Sequence, residues 1–163
     1  MTAPILRQAG CVSIGGRGIL IEGPPGCGKT SLALMLLDRG GQLVGDDGVL
    51  LSIRGGRLWA SPPPHTAGKL EIRNVGIVEL LTVDTPISLQ LTLSSIAPRY
   101  IENAAKKDLL GALIPSIIFD ARGPAAAIRA EYALELHGLP LPALSGTRAK
   151  PAGSPLQGGI INS

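Results

Sequence analysis

Residues 23–30 read Gly-Pro-Pro-Gly-Cys-Gly-Lys-Thr and meet every fixed position of G-x-x-x-x-G-K-[ST], a loop that wraps a phosphate. Such a loop works only between a strand and a helix, so it constrains the fold more than any other feature of the chain. Its glycines let successive N–H groups turn toward one anion, and the helix behind it adds free N–H donors and the positive end of its dipole. Both flanks are present: an apolar β-favouring run at residues 18–22, and "TSLALMLLDRGG", rich in helix formers and closed by Gly40-Gly41. Gly23, Gly26 and Gly28 supply the freedom, Lys29 reaches the outer phosphates, and the Thr30 hydroxyl is placed to ligate Mg²⁺. With Pro24, Pro25, Cys27 and Ser31 they make up the candidate nucleotide-binding segment. Cys27 has two readings: a small filler at a variable position, or a thiol acidified at a helix N-terminus.

A phosphate loop needs carboxylates nearby, because Mg²⁺ prefers hard oxygen ligands and a hydroxyl nucleophile must lose its proton. Asp46 and Asp47 stand 17 and 18 residues after Lys29, room for one helix and one return strand. Neighbours on a strand point to opposite faces, so the pair can divide the work, one toward metal and one toward the attacking group. Asp-Asp-Gly is equally good turn chemistry. Further on, "LEIRNVGIV" carries Glu71 and Arg73 two apart on an extended apolar segment, one able to complete a metal shell and the other to meet phosphate. An ordinary edge strand reads the same way. "SIIFD", ending in Asp120, is an alternative metal-binding strand of the general nucleotide-hydrolase kind.

Elsewhere the patterns predict a hairpin over residues 11–14 and 18–22, strands on either side of Asp46-Asp47, a turn at Gly55-Gly56 and a loop at residues 62–64. "KLEIRNVGIVELL" reads as extended and "PISLQLTL" as a half-buried strand of period two. "IENAAKKDLLGAL" reads as a short helix and "IPSIIFDA" as a strand. "GPAAAIRAEYALELHG" reads as a helix with Pro124 at its first position and Gly138 just past its end. Beyond it the chain turns rich in Pro, Gly and Ser. The expected organisation is therefore one domain over residues 1–138 and a flexible tail over residues 139–163.

Composition excludes several classes. The 163 residues suit one domain, with 45% hydrophobic and 17% charged residues. One Trp, one Phe and two Tyr leave almost no stacking platforms, which argues against nucleic acid. The net charge of +3 is spread along the chain, without a basic run. Cys11 and Cys27 lack metal-ligand spacing. No leader pattern or membrane-length apolar run is present, so the expectation is a cytoplasmic chain without a membrane partner.

Taken together, "GRGILIEGPPGCGKTSLALMLLDRGGQLVGDDGVLL", a proline run and "LEIRNVGIVEL" resemble the catalytic domain of HPr kinase/phosphorylase from about residue 8 to about residue 80, and more loosely to about residue 137. The resemblance implies an α/β fold, a P-loop domain of the phosphoenolpyruvate carboxykinase-like type with a mixed sheet and flanking helices. It implies ATP- and Mg²⁺-dependent phosphorylation of a serine on the phosphocarrier HPr, with phosphate removing that group as pyrophosphate. By carry-over Asp46 is the general base, Lys29 holds the β-phosphate, Thr30, Asp47 and Glu71 serve the metal, and Arg73 faces phosphate. The family also implies a homo-oligomer, commonly a hexamer. This chain departs from it at Gln8, where members often carry His, and at Asn74, where the signature has Gly. It looks like the short, kinase-domain-only type, regulating a phosphotransferase system. The competing readings are a nucleotide-binding regulatory module without phosphotransfer and a general P-loop NTPase or small-molecule kinase.

Overall fold

A computed structural model describes residues 3–143. The chain runs β1 (Ile5–Arg7), β2 (Gly10–Ile14), β3 (Arg17–Glu22), α1 (Lys29–Asp38), β4 (Gln42–Gly45), β5 (Val49–Arg54) and β6 (Arg57–Ser61). It continues with β7 (Lys69–Ile72), β8 (Gly76–Glu79), β9 (Thr85–Leu93), β10 (Ala105–Leu109), β11 (Ala112–Phe119) and α2 (Ala126–His137). Nine strands form one mixed sheet in the order β1-β5-β6-β9-β3-β2-β4, with β11 also beside β9 and β10 beside β11. The β7–β8 hairpin stands apart as a two-stranded sheet.

Strand direction decides where the functional segments gather. β2 is antiparallel to both β3 and β4, so β3 and β4 run the same way, joined by the crossover helix α1. β9 is parallel to β3, and β11 to β9. The C-terminal ends of β3, β4, β9 and β11 therefore share one edge, where ligands of such sheets bind. The phosphate loop leaves β3 there, and Asp46-Asp47 leaves β4 there.

Two apolar layers cover the sheet. On one face Val12, Ile19, Ile21, Leu89 and Leu91 pack against Leu32 and Leu36 of α1 and Ala127, Ala130 and Leu134 of α2. On the other, Cys11, Leu20, Val44, Leu51, Leu58, Ile87 and Ile114 meet as β5, β6 and β10–β11 curl over. Ile87 and Leu89 lie in different layers although two apart, because the β3–β9 register shifts between Gly18 and Ile19 and skips Ser88.

Three expectations change. Residues 101–113 form no helix: the segment supplies β10 and the start of β11, paired antiparallel. Helix formers are outvoted because Leu110 (φ 54) and Gly111 (φ 88) make a tight turn, closed by the Gly111 N–H on Asp108 Oδ1 at 2.8 Å, and because Lys106, Lys107 and Asp108 suit a charged sheet edge. The period-two pattern of residues 86–93 marks a strand buried on both faces: Ser88 and Gln90 are as inaccessible as Leu89 and Leu91. Pro124 lies in the turn before α2, whose first intrahelical bond is Arg129 N–H to Ala125 C=O. Gly138 does end α2, in an extended conformation, and is required by its approach to Leu134, whose carbonyl oxygen would stand 2.5 Å from an added Cβ.

Past Gly138 the backbone still touches the sheet: the Leu139 N–H donates to Ser88 C=O at 2.9 Å. The rest of the expected tail, from residue 144, lies outside the described residues. No helix among the described residues is long and apolar enough to cross a membrane.

Candidate functional site

The loop between β3 and α1 has the backbone its glycines predict: Gly26 at φ 79 and Gly28 at φ 99, the latter in the left-handed region at the N-cap of α1. Neither would bring an added Cβ within 4 Å of a neighbour, so the need for glycine at both is conformational. At Gly23 (φ 155) space adds to the conformational need, since an added Cβ would lie 2.6 Å from Cys27 Sγ. Cys27 thus packs beneath the loop against the helix-side core, 4.0 Å from Lys29 Nζ, as a filler. Lys29 folds back and donates to Gly23 C=O at 2.7 Å and Pro24 C=O at 3.1 Å. The ammonium is held across its own loop, where the outer phosphates of a bound nucleotide would sit.

A cleft of about 770 Å³ opens in front of the loop. Pro25, Gly26, Gly28, Lys29, Thr30 and Ser31 form one wall, and Asp46, Asp47, Glu71 and Arg73 the facing side. Gly23, Pro24 and Cys27 do not line it. The cleft thus gathers residues from three separate segments. Its further lining residues, Leu34, Ile72 and Asn74, were not anticipated. Leu34 had a signal, since it follows Thr30 at i+4 on one helix face.

Asp46 is the centre of the arrangement. The Thr30 hydroxyl donates to its Oδ1 at 2.9 Å, and the Glu71 backbone N–H donates to the same carboxylate. These two bonds tie the β4 end to both α1 and the β7–β8 hairpin. Burial pushes the Asp46 pKa up, the two hydrogen bonds oppose it, and repulsion from Asp47 and Glu71 adds to it; the net direction is upward. A carboxylate held partly desolvated in a cleft is a better proton acceptor than a free one.

Glu71 ends on β7, whereas Arg73 sits in the turn to β8 rather than on the strand. Asn74 takes φ 67 in that turn, the angle that the family glycine would adopt without cost. Asn74→Ala is expected to cost about 1 kcal/mol of stability in urea unfolding and Asn74→Gly nothing measurable. Gln8, between β1 and β2, is exposed and lies off the cleft wall. Asp120, the alternative metal carboxylate, follows β11 and is gripped by Arg122, with Arg122 Nη2 to Asp120 Oδ2 at 2.7 Å, which pulls its pKa down to about 2. It does not line the cleft.

Just ahead of the loop, Glu22 accepts from Arg7 through both guanidinium arms and from Gln90 Nε2 at 2.8 Å, with Lys107 Nζ at 3.5 Å. Gln90 in turn receives the Ser116 hydroxyl. This polar line anchors the last residue of β3 to β1, β9, β10 and β11, and sequence periodicity gave no sign of it. Burial alone would raise the Glu22 pKa, but Arg7, Lys107 and Gln90 outweigh it, and the net direction is downward. Its stabilising contribution is complete above the ordinary glutamate value of about 4.3 and is lost as pH falls through the lower folded value. Glu22→Gln is expected to lower Tm at pH 7 and to narrow the Tm difference from wild type as pH drops below about 4, read by circular dichroism.

Among the described residues no three His, Cys, Asp or Glu side chains are grouped to form a metal cage. The donor set still suits Mg²⁺, which is commonly held by one or two carboxylates together with substrate phosphates. Thr30, Asp47 and Glu71 supply hard oxygens on the cleft walls.

Residues 2–85 match the family model of the HPr Serine kinase C-terminal domain. The chain is 43% identical over 82 residues to HPr kinase/phosphorylase of Clostridium beijerinckii, covering 50% of this chain and 27% of that protein. It is 40% identical over 72 residues to HPr kinase/phosphorylase of Mycoplasmopsis pulmonis, covering 44% and 23%. The matches therefore span about a quarter of the length of these relatives. In three dimensions the chain resembles the Hpr(Ser) kinase/phosphatase from Coxiella burnetii, with a TM-score of 0.71 and 25% identity over 80% of this chain and 88% of that one.

Proposed function

The chain belongs to the HPr serine kinase C-terminal domain family, and we propose that it uses ATP to phosphorylate a serine of an HPr-type phosphocarrier, regulating a phosphotransferase system. The observation that carries this reading is Asp46, bonded to the loop's Thr30 at 2.9 Å, its pKa raised, at the mouth of the phosphate loop.

The serine hydroxyl enters opposite the loop and loses its proton to Asp46 as its oxygen bonds the γ-phosphorus. The bond from that phosphorus to the β-bridging oxygen breaks, and ADP leaves. Lys29 and the loop N–H groups stabilise charge gathering on the β-phosphate oxygens. Thr30, Asp47 and Glu71 would hold Mg²⁺, which when bound neutralises phosphate charge. Arg73, in the turn between β7 and β8, would meet the transferring group. In reverse, inorganic phosphate attacks the phosphoserine phosphorus, pyrophosphate forms, and Asp46 returns the proton to the serine oxygen. We place the fold in the phosphoenolpyruvate carboxykinase-like P-loop type, acting in the cytoplasm as a homo-oligomer, with a hexamer as the expected form.

A general NTPase is disfavoured because Asp120 is spent on Arg122 outside the cleft. ATP turnover measured with and without HPr tests the reading. Turnover that depends on HPr supports it; equal turnover without HPr favours an NTPase, and ATP binding without turnover in either case favours a regulatory module.

A further inference from the structure

We propose that Arg17 and Arg57 form a second anion site, at the opposite end of β3 from the phosphate loop, built for a small phosphate-class oxyanion. Arg17 opens β3 and Arg57 opens β6, and the two meet where β9 begins. Arg57 Nη2 donates to Ser88 Oγ at 3.0 Å and more weakly to Ile87 C=O at 3.5 Å; Arg17 Nη1 donates to Leu139 C=O at 3.3 Å. Arg57 Nε is buried and has no hydrogen-bond partner among the described residues.

A buried guanidinium N–H without an acceptor is costly, and two guanidiniums brought together repel. Desolvation and the Arg17 charge both depress the Arg57 pKa. Burial likewise depresses that of Arg17, against only a partial pull from Glu135. No carboxylate among the described residues lies within ion-pair distance of either, whereas Arg7, Arg39, Arg54 and Arg122 each have one. All 12 acidic residues of the sequence fall within the described stretch, so residues 144–163 bring no Asp or Glu side chain to neutralise the pair.

The missing complement is an acceptor with more than one oxygen and more than one negative charge. A phosphate group has the matching chemistry: one oxygen can take Arg57 Nε–H, the others Arg17 and the Ser88 hydroxyl. Arg17 is separated from Gly23 by roughly 20 Å of extended chain, so the site is distinct from the nucleotide cleft. It does not depend on which protein accepts the phosphoryl group.

The test is NMR of the arginine Nε–H signals during titration with inorganic phosphate at constant ionic strength. The Arg57 and Arg17 signals are expected to move together and saturate, with the same midpoint in wild type and in Lys29→Met, whose nucleotide cleft is crippled. Arg17→Gln should weaken the Arg57 response at least tenfold, and Arg57→Gln the Arg17 response likewise. Acetate should act at least tenfold more weakly. The proposal is overturned if the signals follow sodium chloride equally well, if they respond to acetate as to phosphate, or if the response disappears in Lys29→Met.

Discussion

Asp46→Asn is expected to lower phosphoryl transfer to HPr by about 10²–10⁴-fold, the range for losing a positioned general base. Nucleotide affinity should change little, because the asparagine carbonyl can still accept from Thr30 and from the Glu71 N–H. Stability should move the other way. A carboxyl whose folded pKa is raised is destabilising while charged: its favourable contribution is complete below the unfolded value of about 3.9 and is lost as pH rises through the folded value. At neutral pH the neutral amide removes that burden and the repulsion from Asp47 and Glu71, so Tm should rise. The same shift sets the pH profile: wild-type transfer should fall on the acid side at a pH above that of an ordinary aspartate, and the residual Asp46→Asn rate should lack that limb. A variant that lost activity together with several degrees of Tm would assign Asp46 a structural role.

Lys29→Met should reduce transfer by about 10²–10³-fold, as removal of one preorganised donor to developing charge does. Nucleotide affinity should fall as well, since the ammonium is already poised across the loop by Gly23 and Pro24 C=O. The methionine keeps most of the side-chain volume but leaves those two carbonyls without their donor, at a modest cost in stability. Equilibrium binding of ATP and single-turnover transfer, measured on the same preparation, separate the two effects. Wild-type affinity in Lys29→Met would contradict the placement of the phosphates in this loop.

The parts of the site that could be read from the chain are those whose meaning is local. Residues 23–30 carry their own backbone requirements, and Gly26 and Gly28 adopt the positive φ that the motif demands. Asp46 and Glu71 were legible as candidates, but their meeting was not: it depends on β4 running parallel to β3 with β2 between them, and on a Glu71 N–H reaching Asp46. Long-range pairing also explains the misread segments. Residues 105–109 favour a helix on propensity and become an edge strand because β11 is available to pair. Gln90 alternates with leucines as a solvent-facing residue would, yet it is buried, and Glu22 and Ser116 from the strands on either side, β3 and β11, satisfy its amide. The Arg17–Arg57 juxtaposition, forty residues apart in the chain, has no sequence signal at all.

Phosphoryl transfer from this cleft to a protein serine is what the proposed function requires. Mass spectrometry of purified HPr after incubation with the wild-type chain, ATP and Mg²⁺ tests it most directly. One phosphoserine per HPr molecule is expected at completion. Unmodified HPr in the presence of a chain that demonstrably binds ATP would contradict it.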